Sequence, residues 1–150
     1  MVTNSIEIDR PAGEVFAYLE QFERHSEWQP SLIAAEIKTP GPIQVGTRVV
    51  ERRKTPVGIR DIPFVVTEHD PPYLLSFRGT TGPVRPVGTA TVEVLSEFSS
   101  RLTFEVELEG RGIGRLIAPL ALRQTAKEIP MRLRGYKKAI EDGTPGPTPR

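Results

Sequence analysis

Apolar and polar positions alternate at the start of the chain. Val2, Ile6 and Ile8 fall on one face, and Thr3, Ser5, Glu7 and Asp9 on the other. This period of two predicts a half-buried strand over residues 2–9. Pro11 then suits a first helical position, with Glu14 in the favourable first turn. Val15, Phe16, Leu19 and Phe22 recur at helical spacing, which predicts a short amphipathic helix over 11–22. A polar stretch, Glu23 to Glu27, leads through a second short helix to Trp28 and Pro30.

Segments bounded by turn residues follow. Strands are predicted over 32–38, 46–54, 59–69, 73–79, 87–97 and 101–109. Pro40-Gly41-Pro42, Pro56-Val57-Gly58, Pro71-Pro72 and a loop from Thr80 to Pro86 separate them, and Phe98-Ser99-Ser100 closes the last hairpin. The final strand alternates most cleanly. Leu102, Phe104, Val106 and Leu108 point one way, and Thr103, Glu105, Glu107 and Glu109 the other. Such a pattern fits an antiparallel sheet with one wet face, and the short connections favour a meander.

After Gly110-Arg111-Gly112 the period becomes helical and persists to about Asp142. Ile113, Leu116, Ile117 and Leu120 make one apolar stripe. Leu122, Ala126, Ile129, Leu133, Tyr136 and Ile140 make another, rotated away from the first. Pro119 and Pro130 lie inside this stretch and predict a break or kink near the first and a milder one at the second. Residues 143–150, rich in Pro and Gly, cannot build a core and are expected to be a disordered tail to one domain spanning 1–142.

Composition narrows the function classes. The 150 residues contain no cysteine, which excludes disulfides, thiolate metal sites and cysteine catalysis. Neither a membrane-spanning apolar run nor a secretory leader is legible, so a cytoplasmic protein is expected. The net charge is +1, but residues 111–138 hold eight Lys/Arg against a single acid. Arg123, Lys127, Arg134 and Lys138 fall at intervals of four, seven and four, forming a stripe opposite the second apolar one. It reads as a solvated helix face, or as a transient contact with an anionic membrane or acidic partner. Without aromatic interleaving or a helix-turn-helix pattern, nucleic acid is not expected as a partner.

The lettering also resembles a family. Ser5-Ile6-Glu7-Ile8-Asp9-Arg10-Pro11 with Val15-Phe16-Ala17-Tyr18-Leu19 is similar to the opening of the START-related polyketide cyclase/dehydrase and lipid-transport family, within the SRPBCC superfamily. Trp28, Gly46-Thr47-Arg48-Val49, Val66-Thr67-Glu68-His69-Asp70-Pro71-Pro72 and Leu74-Leu75-Ser76-Phe77 extend the resemblance over residues 2–142. It implies an α+β helix-grip fold: a seven-stranded curved antiparallel sheet around a long C-terminal helix, two short helices after the first strand, and a cavity between sheet and helix. It implies no metal and no cofactor.

Strand parity selects the candidate lining of that cavity. From successive strands it takes Phe64 and Val66, then Leu75 and Phe77, then Val92 and Val94, then Phe104 and Val106. The long helix adds Leu116, Leu120 and Met131, and Trp28 either gates the entrance or plugs the helix pair against the sheet. The same residue types also fill ordinary cores. Glu51, Arg53, Tyr73 and Arg78 are polar residues within strands. Facing inward they would orient a polar head group, and an inward charge would need a partner; facing outward they are solvated. His25 and His69 lack the company that a zinc site requires, and either is at most a general base. Gly110-Arg111-Gly112-Ile113-Gly114 does not have dinucleotide-loop spacing and reads as a flexible strand-to-helix turn.

The expected function is binding, and possible transport, of a small hydrophobic molecule such as a lipid or polyketide, by a monomer or homodimer. One alternative is a polyketide aromatase/cyclase-type dehydratase, which needs an inward polar group with a perturbed pKa. The other is a protein-interaction module of the chaperone-activator kind, which needs a large exposed apolar patch.

Overall fold

A computed structural model describes residues 1–143; the tail expected to be disordered falls almost wholly outside the described residues. Strand β1 (Val2–Ile8) leads into helix α1 (Ala12–Leu19) and a short 3-10 helix (Phe22–Glu27). Strands β2 (Leu32–Ile37), β3 (Arg48–Thr55), β4 (Gly58–Asp70), β5 (Leu74–Gly79), β6 (Val84–Ser96) and β7 (Ser99–Gly110) follow, and helix α2 (Gly114–Glu141) completes the fold. The strands form one antiparallel sheet in the order β1-β7-β6-β5-β4-β3-β2. This is the helix-grip architecture, a meander from β2 to β7 closed by β1 pairing on β7. Register shifts in β2, β4 and β6 interrupt the ladders, and such bulges bend and coil a sheet.

The core lies where α1 and the C-terminal half of α2 meet the sheet. Ile8, Val15, Phe16, Leu102, Ile129, Leu133 and Tyr136 are all essentially inaccessible to solvent. Each large apolar side chain so buried contributes about 1.5–3 kcal/mol. The Tyr136 hydroxyl donates to the Val15 carbonyl, joining α2 to α1 across the core. Burial and the neighbouring Tyr18 push the Tyr136 pKa well above its ordinary value.

Three local expectations are adjusted. Helix α1 stops at Leu19, and Phe22 belongs to the 3-10 helix that follows. Strand β6 begins at Val84, with Pro86 opposite Leu108 inside the ladder rather than in a loop. Helix α2 runs from Gly114 to Glu141 without a break at either proline. Pro119 offers no N–H to the Arg115 carbonyl, and both residues are exposed, so water can serve that carbonyl.

The glycine-rich entry to α2 is tightly held rather than loose. Arg111 N–H donates to the Pro83 carbonyl at 2.8 Å, and Gly114 N–H to the Arg111 carbonyl at 2.9 Å. Gly112 has φ +57°, in the left-handed region that glycine occupies at little cost. A Cβ on Gly114 would lie 1.9 Å from the Pro83 carbonyl oxygen, so only glycine permits this approach.

Candidate functional site

Burial falls along the inward face of the sheet in one direction. On β7, Leu102 and Phe104 are buried, while Val106 and Leu108 are half-buried. On β6, Val92 and Ala90 are buried, while Pro86 and Val84 are half-buried. On β4 the sequence runs from buried Val66 and Phe64 through half-buried Ile62 to exposed Arg60. The interior therefore opens toward the end that carries the β3–β4 turn, the β5–β6 turn and the start of α2. Beyond Val106, β7 has no β1 partner, and an open hollow of about 350 Å³ lies there, between Leu108 and Gly110 on one side and Ala118, Pro119 and Leu122 on the other. A second open hollow, of about 460 Å³, adjoins it at Glu109, Gly110, Arg111 and Arg115.

A charged network lies on the same inner face, its β3 members Glu51 and Arg53 opposite half-buried Ile62 and exposed Arg60 of β4. Strand alternation turns Glu51 and Arg53 of β3 inward, on the same face as Val49. Arg53 donates to Glu51 Oε1 at 2.7 Å, to Gln29 Oε1 at 2.7 Å and to the Ser31 hydroxyl at 2.9 Å. The Ser31 hydroxyl donates to Glu128 Oε2 at 3.0 Å, and the same oxygen lies 3.8 Å from Arg53 Nη1. Arg132, one helical turn after Glu128 on α2, donates to it as well. Gln29 is 6% and Glu51 7% exposed, so these groups are largely withdrawn from water. Two guanidinium groups and two carboxylates balance within the cluster.

The electrostatics follow from that withdrawal. Burial, reinforced by the nearby Arg53 charge, lowers the Arg132 pKa to about 10. Burial pushes Glu128 upward, but Arg132, the Ser31 hydroxyl and Arg53 together outweigh it and hold its carboxyl below the usual range. His25 extends the network. Its Nε2 lies 2.7 Å from the Leu19 carbonyl, which can only accept, so Nε2 carries the proton. Its Nδ1 then accepts from Gln29 Nε2 over a long 3.5 Å. Burial lowers the His25 pKa to about 4, so the ring is neutral near pH 7.

Trp28 bridges this network and the core. Its ring stacks on Phe104 at 5.6 Å, meets Tyr136 edge-on at 5.0 Å and touches His25 at 4.7 Å. It packs as a plug between helix and sheet, and Gly135 lets α2 approach its backbone, where a Cβ would lie 3.1 Å from the Trp28 carbonyl. Among the described residues the buried Trp28 Nε1 has no hydrogen-bond partner.

The expected lining residues separate into two groups. Trp28, Phe64, Val66, Leu75, Val92 and Phe104 are buried in one cluster, with Phe77 and Val106 half-buried against it. The Phe77 ring lies over Gly88, where a Cβ would stand 2.4 Å away. Val94, Leu116, Leu120 and Met131 are instead 54, 76, 64 and 44% exposed. On α2 the face turned to the sheet carries Ala118, Ile129 and Leu133. Of the four polar strand residues, Glu51 and Arg53 face inward. Arg78 pairs with Glu109 on the outer face, and Tyr73 is exposed. His69 is bonded to Glu20 at 2.5 Å, tying the end of β4 to the end of α1. Gln29, Ser31, Glu128 and Arg132 were not anticipated. The only trace of the last two in the sequence is an acid–base pair four residues apart, a spacing that usually marks a surface ion pair.

Among the described residues, no cluster of three His, Asp or Glu could hold a metal ion, and no helix is long and apolar enough to cross a membrane.

Similar folds occur among solved structures. A START superfamily protein from Mycobacterium smegmatis is 13% identical, with a TM-score of 0.76 over 95% of this chain and 98% of that one. The Zhui aromatase/cyclase from Streptomyces sp. R1128 is 16% identical, with a TM-score of 0.72 over 93% and 94%. The di-domain ARO/CYC BexL from the BE-7585A biosynthetic pathway is 19% identical, with a TM-score of 0.73 over 93% of this chain, which spans only 46% of that protein. These likenesses are of fold. No curated protein sequence matches. The sequence model for polyketide cyclase / dehydrase and lipid transport proteins matches residues 1–141, and the chain belongs to that family.

Proposed function

We propose that the protein binds a small, mostly apolar molecule between the sheet and α2, with the guest's polar group directed to the Arg53–Glu51–Glu128–Arg132 network. The observation that carries this reading is the network itself, charged groups largely withdrawn from water on the inner face of the sheet beside α2. Apolar replacement of such a buried network is often neutral or even stabilising, so packing alone does not require it. Pockets of this kind combine apolar walls with a few polar groups that fix orientation. Exchange of the guest with a membrane past the basic stripe of Arg123, Lys127, Arg134 and Lys138 belongs to the same proposal.

Trp28, the sole tryptophan, supplies the assay. Titration with fatty acids and with aromatic polyketides should give saturable changes in its emission with one-to-one stoichiometry. Arg53→Met should weaken binding of polar-headed ligands about tenfold, corresponding to about 1.4 kcal/mol, and leave purely apolar probes unaffected. No saturable binding across both ligand classes would remove the reading.

A second reading, dehydration and cyclisation of a poly-β-keto chain, is favoured by the charged character of the interior. Guanidinium N–H groups can stabilise an enolate oxygen, and the inward Glu51 carboxylate is a candidate proton acceptor. Incubation with a linear poly-β-keto thioester would separate the two. Product formed by the wild type and lost in Glu51→Gln supports catalysis, and unchanged substrate limits the protein to binding.

A further inference from the structure

Strand β7 outruns one of its neighbours. On one side it pairs with β6 as far as Gly110, opposite Val84. On the other side β1 stops at Val2, opposite Val106. Among the described residues no strand lies beside Glu107–Gly110 there. A sheet edge left open in this way presents backbone donors and acceptors that pairing would otherwise consume.

Two observations fix which groups are free. The backbone N–H of Arg111 donates to the Pro83 carbonyl at 2.8 Å. Polar backbone groups alternate sides along a strand, so Glu109 and Glu107 also turn toward β6, and Leu108 and Gly110 turn away from it. Pro86 agrees with this. It sits opposite Leu108 in the β6–β7 ladder, where a residue without an N–H fits because that pair exchanges no hydrogen bonds. The N–H and C=O of Leu108 therefore face the gap left by β1, and among the described residues nothing bonds to them.

The gap is also a place. The open hollow of about 350 Å³ is lined by Glu107 as well as by Leu108 and Gly110. Glu107 belongs to the outer face of the sheet and Leu108 to the inner one, so a hollow that touches both lies alongside the strand. Its far wall is α2, through Arg115, Ala118, Pro119 and Leu122. One free donor and one free acceptor on β7 thus stand in a largely apolar slot.

We propose that the guest of this opening carries a secondary amide, an N-acylated α-amino unit, that lies along β7 as a one-residue continuation of β1. Its amide N–H donates to the Leu108 carbonyl, and the carbonyl beyond its α-carbon accepts from the Leu108 N–H. This is the exchange made by a hydrogen-bonded antiparallel pair. The acyl chain packs on Leu108, Ala118 and Leu122. A simple ketone or ester answers the N–H and leaves the carbonyl without a donor. A free carboxylate would set its charge against the Leu108 carbonyl and the Glu107 side chain. The open edge is four residues long, about 13 Å, which is room for one such unit rather than a long peptide. The inference rests on the binding reading above and gives the guest a second anchor, separate from the Arg53 network.

The test is calorimetric titration of the full chain with N-decanoyl-alanine methyl ester and with the decanoyl ester of methyl lactate, in which an oxygen replaces the amide N–H. The amide is expected to bind about tenfold more tightly, through the hydrogen bond that it alone can donate. Amide hydrogen exchange, read by NMR, locates the site. The bound amide should slow exchange at Leu108 about tenfold and leave Glu107 and Glu109, already turned to β6, unchanged. Equal affinity for the two probes, or no added protection at Leu108, would overturn the proposal and leave the binding reading standing. Binding of neither probe would overturn it too; if fatty acids or polyketides still bind, only the amide is lost, and if nothing binds, both readings fall.

Discussion

At the scale of single residues, the decisive group is Glu128, whose carboxylate serves both Arg53 and Arg132. Removing its charge leaves two guanidinium groups with Glu51 as the one remaining carboxylate of the cluster, in a place mostly shielded from water. Glu128→Gln should therefore destabilise the fold by about 3 kcal/mol, measured as a lower urea midpoint at an unchanged slope. His25 gives a pH signature. Its folded pKa of about 4 lies below the ordinary 6.5. In that window the unfolded chain binds a proton that the folded chain refuses, so stability falls as pH drops from 6.5 toward 4. The loss attributable to His25 is at most about 3 kcal/mol, and His25→Asn should flatten the slope of stability against pH across that interval. A slope unchanged by the substitution would mean that carboxylates alone cause the acid sensitivity.

At the scale of elements, α2 is positioned by its small residues. Gly114 and Ala118 are buried and the larger Leu116 and Leu120 are not, and at Gly114 the β5–β6 turn comes too close to the helix for any side chain. Gly114→Ala would drive a methyl group into the Pro83 carbonyl. Overpacking of this kind costs about 1–3 kcal/mol, which should appear as a fall of several degrees in melting temperature. This also explains which part of the helix was legible beforehand. The two apolar stripes are plain in the sequence, since periodicity records hydrophobicity. Which stripe the sheet accepts depends on how closely two backbones approach, and that is set by Pro83, some thirty residues away in the chain. The strands were read well because alternation in β1 and β7 is a local property. The start of β6 was missed because Pro86 resembles a loop residue until its partner Leu108 is known.

At the scale of the whole molecule, one gradient organises the account. The core is buried around Trp28, Tyr136 and Phe104 and exposure rises toward the beginning of α2, while the charged network joins β3 to the middle of α2. The fold could be read from the order of elements and the family resemblance. The network could not, because it is assembled from β3, the segment after the 3-10 helix and α2, and each side chain taken alone has the pattern of one that faces water. Arg53 had two possible faces, and Glu128 with Arg132 has the spacing of an exposed helical ion pair. The central claim is that the open region beside Leu108 and Ala118 holds a guest. The most direct measurement is native mass spectrometry of freshly purified protein, comparing the wild type with Leu108→Trp, a substitution that places a large ring in that space. The account predicts a one-to-one adduct of a small lipophilic molecule on the wild type and none on the variant. A wild type that stays bare after exposure to lipids and polyketides, or a variant that retains the adduct, would contradict it.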